Sequence, residues 1–237
     1  MRRGSVKNRI SWILILSLGL LSVAPFLTVE GIYLSGLSLM HRLPSPPQRE
    51  PWPLLARAAI WVHFQERGPI SVKPIRSWDI LSSLVRQDGY VTPGYILTNY
   101  VAVVLFSKED LPQRMLIRHL KKFSLAVWLS RNWTTEQIIM EAGRLMPVVP
   151  GLDGVEKASI EFFGKKIDEL TTSEITLILA IARFRRMEEA GKRPEELLAR
   201  RNHIIETMFR NGFISEADMQ KAITQPIKFR REIGRAK

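Results

Sequence analysis

The longest uncharged apolar run of the chain lies close to its N-terminus. Residues Ile10 to Val29 carry no charged side chain, and a helix of this length covers roughly 30 Å, the hydrocarbon thickness of a bilayer. Four basic residues precede the run and Glu30 follows it. Since positive charge beside a span stays on the cytoplasmic side, the pattern predicts a basic cytoplasmic segment over 1–9, a transmembrane anchor over 10–29 and an exported remainder.

A cleaved signal peptide is the competing interpretation of this run. Ser22, Val23 and Ala24 have the small-x-small form of a cleavage site. Pro25 would occupy the first position after the cut, which disfavours the peptidase, and apolar residues continue beyond it. The retained anchor is therefore the favoured prediction, and both interpretations export the domain.

Helical patterns dominate the remainder of the chain, and no stretch alternates with the period of two that is typical of a strand. Five prolines between 42 and 53 predict a stiff, extended spacer. Prolines and glycines between 147 and 154 indicate an irregular loop. Periodicity predicts helices over 54–65, 78–86 and 111–130. Capping boxes predict helix starts at Thr134 and Thr171, and further helices are predicted to start at Pro194 and Ser215.

Two segments indicate how this mainly α domain is built. The run 175–184 is apolar almost all round but too short to span a bilayer, which predicts the central buried helix. The helix over 111–130 has basic side chains on one face and apolar side chains on the other. This pattern predicts a cationic stripe that either binds an anion or is an ordinary solvated face. The stripe comprises Arg114, Arg118, Lys121 and Lys122, opposite Leu116, Leu120, Phe123 and Val127.

Charge narrows the choice of partner. The 237 residues hold 35 Lys and Arg against 23 Asp and Glu, a net charge of +12, which favours an anionic partner. Export and the lack of any nucleic-acid-binding sequence signature argue against nucleic acid. The chain has no cysteine, which excludes disulfides and thiolate metal sites.

Several short blocks in consistent order resemble glycosyltransferase family 51, the peptidoglycan glycosyltransferases. The resemblance covers roughly 75–228, and we assign the family-like domain to 54–228, with a basic tail over 229–237. It implies a lysozyme-like α-helical domain that acts on an undecaprenyl-linked disaccharide-peptide. The blocks that carry it are 118–126, 154–165, 170–174, 199–208, 211–215 and 225–227.

The resemblance also implies which chemistry is lost. The family uses two glutamates, and the matching positions hold Arg86 and Lys122. Neither side chain takes a proton from a sugar hydroxyl at neutral pH, because both stay charged. Arg118 and Lys121 match basic positions of the family and are the candidate ligands of the substrate diphosphate.

The sequence therefore predicts a non-catalytic, membrane-anchored domain of peptidoglycan biogenesis, without a cofactor or metal, outside the cytoplasmic membrane. Its expected partners are the lipid-linked precursor or glycan strand, membrane lipids and cell-wall synthesis proteins. One alternative is an active, divergent polymerase that uses a displaced carboxylate such as Asp88 or Glu141. Another is a structural subunit of an envelope complex.

Overall fold

The computed structural model describes residues 3–66, 68–87, 92–107, 115–184 and 187–226, without the side chains of 3–18, 20 and 187. Asp88 and the predicted basic tail lie outside the described residues. Helices account for most of the described chain, so the predicted mainly α fold is confirmed. The elements in chain order are α1 (Arg3–Ser38), α2 (Leu54–His63), α3 (Ser77–Arg86), α4 (Tyr95–Ser107), α5 (Met115–Asn132), α6 (Thr135–Leu145), β1 (Pro147–Val149), β2 (Leu152–Asp153), α7 (Val155–Phe163), a 3₁₀ turn (Ile167–Glu169), α8 (Thr172–Ile181), α9 (Met187–Lys192), α10 (Pro194–Arg210) and α11 (Glu216–Thr224).

Helix α8 forms the centre of the hydrophobic core. Every residue from Ile175 to Ile181 is buried, and the helix packs against α2, α7, α10 and α11. Such a helix has no polar face to present to solvent, so it is stable only when neighbours cover all its sides. The prediction of a central buried helix is confirmed, although α8 ends at Ile181 and Phe184 follows it outside the helix.

Local capping residues start the helices where they were predicted. The Thr134 hydroxyl accepts a hydrogen bond from the Gln137 backbone N–H, and the Thr171 hydroxyl accepts one from Glu174. In both boxes the N3 side chain bonds back to the N-cap backbone N–H. Each box satisfies two backbone donors that the first helical turn leaves without a partner.

The segment 147–153 is a two-stranded antiparallel hairpin rather than the irregular loop that was predicted. Its strands are three and two residues long, too short for a period of two to be recognised in the sequence. Gly154 follows with a φ of 98° and its N–H bonds the Met146 carbonyl, which directs the chain into α7. A glycine is needed there because this φ is unfavourable for other residues.

Helix α1 extends beyond the predicted anchor to Ser38, and its last turns pack on the domain. Arg131 of α5 donates to both carboxylate oxygens of Glu30, at 2.5 and 3.2 Å, and its guanidinium lies 4.6 Å from the Tyr33 ring centre. Gly36 lies directly against Ser124 and the Leu120 carbonyl of α5. The C-terminal end of α1 is therefore docked on α5.

Among the described residues, α1 is the helix that is long and apolar enough to cross a membrane, over the window Leu21–Ser38. The proline-rich segment that follows contains neither helix nor strand. It lies along the domain, since Trp52 is buried against Gly143 of α6 and Arg49 is paired with Glu156 of α7 at 3.1 Å.

A buried carboxylate positions α4. Glu66 is 4% exposed, and its two oxygens accept hydrogen bonds from the backbone N–H groups of Gly94 at 2.9 Å and Leu97 at 3.0 Å. These are donors of the first turn of α4, which have no partner within the helix. Burial raises the pKa of Glu66, and the amide bonds counteract part of that shift.

We expect Gly36→Ala to lower the free energy of unfolding by about 1–3 kcal/mol, the usual cost of overpacking. The added methyl would lie 2.9 Å from the Leu120 carbonyl oxygen, and a backbone atom cannot move aside cheaply. Denaturation of the full chain in detergent micelles measures the change. The control is Gly31→Ala on the same helix, whose methyl meets nothing within 4 Å. Equal losses in the two variants would contradict the docking of α1 on α5.

We expect Glu66→Met to lower the free energy of unfolding by about 1–3 kcal/mol for each of the two amides left without an acceptor. Exposed Glu206 supplies the control variant Glu206→Met, for which little change is expected.

The pKa of Glu66 adds a second test. A carboxyl whose pKa is raised in the folded chain stabilises most below its ordinary 4.5, and this contribution is lost as pH rises through the folded pKa. Glu66→Gln has no carboxyl group to titrate, so it lacks this pH-dependent contribution to the free energy of unfolding. Its stability should therefore fall less than that of the wild type as pH rises from 4.5, and identical slopes would contradict the assignment.

Candidate functional site

A groove of about 390 Å3 lies between α4 and α5. We call it the α4–α5 groove. Helix α4 contributes residues at positions i, i+4 and i+8, and α5 contributes a stripe with spacings of three and four, so one face of each helix forms one wall. The lining residues are Tyr95, Asn99 and Val103 of α4, with His119, Lys122, Phe123, Ala126 and Val127 of α5.

The floor of the groove is apolar and its polar groups are few. Ala126 and Val127 are buried, while Asn99, Lys122 and Phe123 are half-buried and His119 is exposed. Few polar groups on an apolar wall are typical of a binding site, since they orient a ligand that the wall desolvates.

Phe106, near the end of α4, lies beneath two cations of α5. The Lys121 ammonium is 6.0 Å and the Lys122 ammonium 5.9 Å from the centre of its ring. A cation over an aromatic face is attracted to the ring quadrupole. Phe106 therefore holds two like charges close together, and their combined field favours an anion on this side of α5.

The predicted site residues do not all lie in this groove. Lys122 lines it, and Arg118 is exposed one residue before His119 on α5. Lys121 is only 4% exposed and lies beside the groove, over Phe106. Arg86 is exposed at the end of α3, bonded to the Ser82 hydroxyl at 3.2 Å, and is not among the lining residues.

The predicted division of this helix into a cationic face and an apolar face is therefore wrong at two positions, and Arg114 of the predicted stripe lies outside the described residues. Lys121 is buried and Leu116, which was placed on the core side, is 79% exposed. The reason is that α5 packs against α4 and α1 at once. Its buried face is wider in the middle than one helical side, and the first turn, with Met115 and Leu116, remains uncovered.

None of the lining residues that the structure describes in the groove is an aspartate or glutamate. Glu141 of α6, the described carboxylate among the predicted alternatives, is bound by Arg144 through two bonds of 2.7 and 2.5 Å. The groove can thus attract and orient an anion through an ammonium, an imidazole and an amide. Among the described lining residues, His119 has the side chain that most often serves as a general base in enzymes.

Sequence reasoning missed Asn99 and His119 as groove residues, and it missed Phe106 as the ring that lies beneath Lys121 and Lys122. Their signal was the spacing of Tyr95, Asn99 and Val103 on α4, which becomes informative only when the partner helix is known. Glu66 was missed as well, because its partners are the backbone amides of residues far along the chain.

Comparison with known proteins assigns the sequence of this chain to a family. The transglycosylase family model matches residues 78–209, more than half of the chain and the part that carries α3 to α10. Penicillin-binding protein 1A of Aquifex aeolicus is 28% identical over 147 residues, 62% of this chain and 20% of that protein. Penicillin-binding protein 1A of Rickettsia typhi is 30% identical over 141 residues, 60% of this chain and 16% of that protein.

Among solved structures, penicillin-binding protein 1A from Haemophilus influenzae matches with a TM-score of 0.33 and 20% identity, over 58% of this chain and 17% of that one. The chain thus spans about a fifth or less of the length of these relatives. The family match over more than half of the sequence establishes that this chain belongs to the transglycosylase family.

Proposed function

We propose that this chain is a membrane-anchored, non-catalytic member of the transglycosylase family that acts in peptidoglycan biogenesis. On this proposal it holds a lipid-linked precursor by its diphosphate in the α4–α5 groove. The observation that carries the proposal is the lining of the groove, where Lys122 and His119 stand and none of the described lining residues is a carboxylate.

Charge and exposure favour a diphosphate. Arg118 is exposed and can form a bidentate pair with a phosphate group, as the planar guanidinium does. Lys122 supplies a positive charge inside the groove. Buried Lys121, whose ammonium lies over the Phe106 ring, adds to the positive potential on this side of α5. A diphosphate is therefore attracted both at the rim and within the groove.

Proton transfer has no comparable support. An ammonium group has donors but no acceptor, so it cannot take a proton from a sugar hydroxyl. Glu30 is bound by Arg131, Glu66 by two backbone amides and Glu141 by Arg144. Each of these carboxylates already serves a structural partner.

One alternative has an observation in its favour. Burial raises the pKa of Glu66, as is common for a general acid or base. Glu66 also lines a cavity of about 800 Å3. A divergent but active polymerase would use this carboxylate, or His119 in the α4–α5 groove.

The membrane setting is supported by α1 and by α3. Trp78 of α3 stacks on Phe26 of α1 with ring centres 6.1 Å apart, so α3 lies at the depth of the proposed span. No residue of α3 is buried, and Leu84 and Val85 are 68% and 84% exposed. We propose that α3 rests on the outer surface of the cytoplasmic membrane, with its apolar side chains in the lipid.

Binding and turnover distinguish the functions. Purified full-length chain in micelles should bind labelled lipid-linked precursor and form no polymer. Arg118→Ala and Lys122→Ala should each weaken binding at least about tenfold, since a hydrogen bond to a charged group contributes about 1.5–3 kcal/mol. Lys157→Ala, which removes an exposed lysine on α7, is the matched control.

Polymer that forms with the wild type and disappears in Glu66→Gln or His119→Ala would overturn the inactive assignment. Absence of both binding and polymer would overturn the precursor proposal and leave a structural subunit.

Topology is tested with single cysteines, because the natural chain has none. In intact cells whose outer surface is accessible, a membrane-impermeant maleimide should label Lys157→Cys and leave Ser5→Cys unlabelled until the cells are lysed. A mass of the protein from these cells that equals the mass of the full chain would support retention of the N-terminal anchor. Labelling of Ser5→Cys in intact cells, or loss of the N-terminal segment, would contradict this part of the proposal.

A further inference from the structure

A second cavity among the described residues, larger than the α4–α5 groove, shares no lining residue with it. It encloses about 800 Å3, a volume typical of small-molecule sites. Its walls are the end of α2 and the turn after it, the end of α8, and one face of α10. We call it the α10 cavity.

Three guanidinium groups line the α10 cavity, and each is held in place by the fold. Arg183 donates to the His63 carbonyl at 2.9 Å. Arg200 lies 4.8 Å from the Phe184 ring centre and donates to Glu196 at 2.6 Å. Arg210 donates to the Thr207 hydroxyl at 3.0 Å. Each arginine has five N–H donors, so these bonds orient the side chains and leave most donors for a ligand.

His63 supplies an observation of a different kind. It lines the cavity, is 8% exposed, and its buried Nδ1 has no hydrogen-bond partner among the described residues. Burial, reinforced by the nearby charge of Arg183, lowers the pKa of His63 to about 3, so the imidazole is neutral at physiological pH. A buried polar atom without a partner costs about 1–3 kcal/mol, which a ligand that reaches Nδ1 would recover.

The acidic side chains of the cavity do not cancel these cations. Glu196 is bound by both Arg200 and Arg193. The Glu66 carboxylate faces the first-turn amides of α4, whose partial positive charge offsets its own. Three arginines stand against the two carboxylates of Glu196 and Glu66, so cations are in excess in the cavity.

From this arrangement we propose that the α10 cavity is a second binding site, which takes a small molecule bearing an oxyanion, a phosphate or a carboxylate. Arg183 and Arg200 bind the oxyanion through charge-assisted hydrogen bonds, and the His63 Nδ1–H donates a neutral one. Arg210 lies along the same wall. The site does not depend on the α4–α5 groove or on the precursor proposal.

Titration of the full-length chain in micelles with inorganic phosphate, and separately with acetate, tests the site and distinguishes the two sources of oxyanion. Calorimetry measures affinity, and the imidazole resonances of His63 report contact. We expect saturable binding of at least one anion, with a shift of the His63 signal. Arg183→Gln and Arg200→Gln should each weaken binding about tenfold, since one charge-assisted bond is lost.

Arg193→Gln is the matched control, because Arg193 is exposed at the start of α10, contacts Glu196 and does not line the cavity. His63→Phe fills the space without a donor and should also weaken binding. If that variant does not fold, Arg183→Gln and Arg200→Gln still decide the outcome. Binding that is unchanged in Arg183→Gln and Arg200→Gln, or no binding of either anion, would overturn the proposal.

Discussion

The hydrogen bonds between the Glu66 carboxylate and the first turn of α4 are the constraint on which both concave surfaces depend. Gly94 and Leu97 donate to this one buried side chain, which fixes where α4 begins and how it is rotated. That rotation directs Tyr95, Asn99 and Val103 toward α5 and so creates the α4–α5 groove. The same carboxylate forms part of the wall of the α10 cavity.

The described charged side chains discussed above fall into two groups, cations at the concave surfaces and carboxylates that are bound within the fold. Cations stand in or beside the two concave surfaces, whereas the described carboxylates discussed above are bound to arginine or to backbone amides. A carboxylate that is bound in this way stabilises the fold, because it accepts hydrogen bonds from donors that would otherwise lack a partner. The core of this chain is built around α8, and the α4–α5 groove presents groups suited to holding an anion.

Prediction from the sequence succeeded where the signal was local. The boxes at Thr134 and Thr171, the proline at the start of α10 and the cap at Ser215 each involve residues within one helical turn. The buried run of α8 was recognised because its composition excludes a solvated face. The hairpin at 147–153 escaped recognition because its strands are too short to show a period.

The sequence by itself determined the helices, their starts, the apolar N-terminal run and the excess of positive charge, since each follows from neighbouring residues or from composition. Only the tertiary structure decided that Lys121 is buried over Phe106 while Lys122 faces the groove. It also decided that Gly36 meets α5 and that His63 lines a cationic cavity. The physical reason is that helices distant in the chain pack side by side, and the neighbour that covers a face determines whether it becomes core, groove or surface.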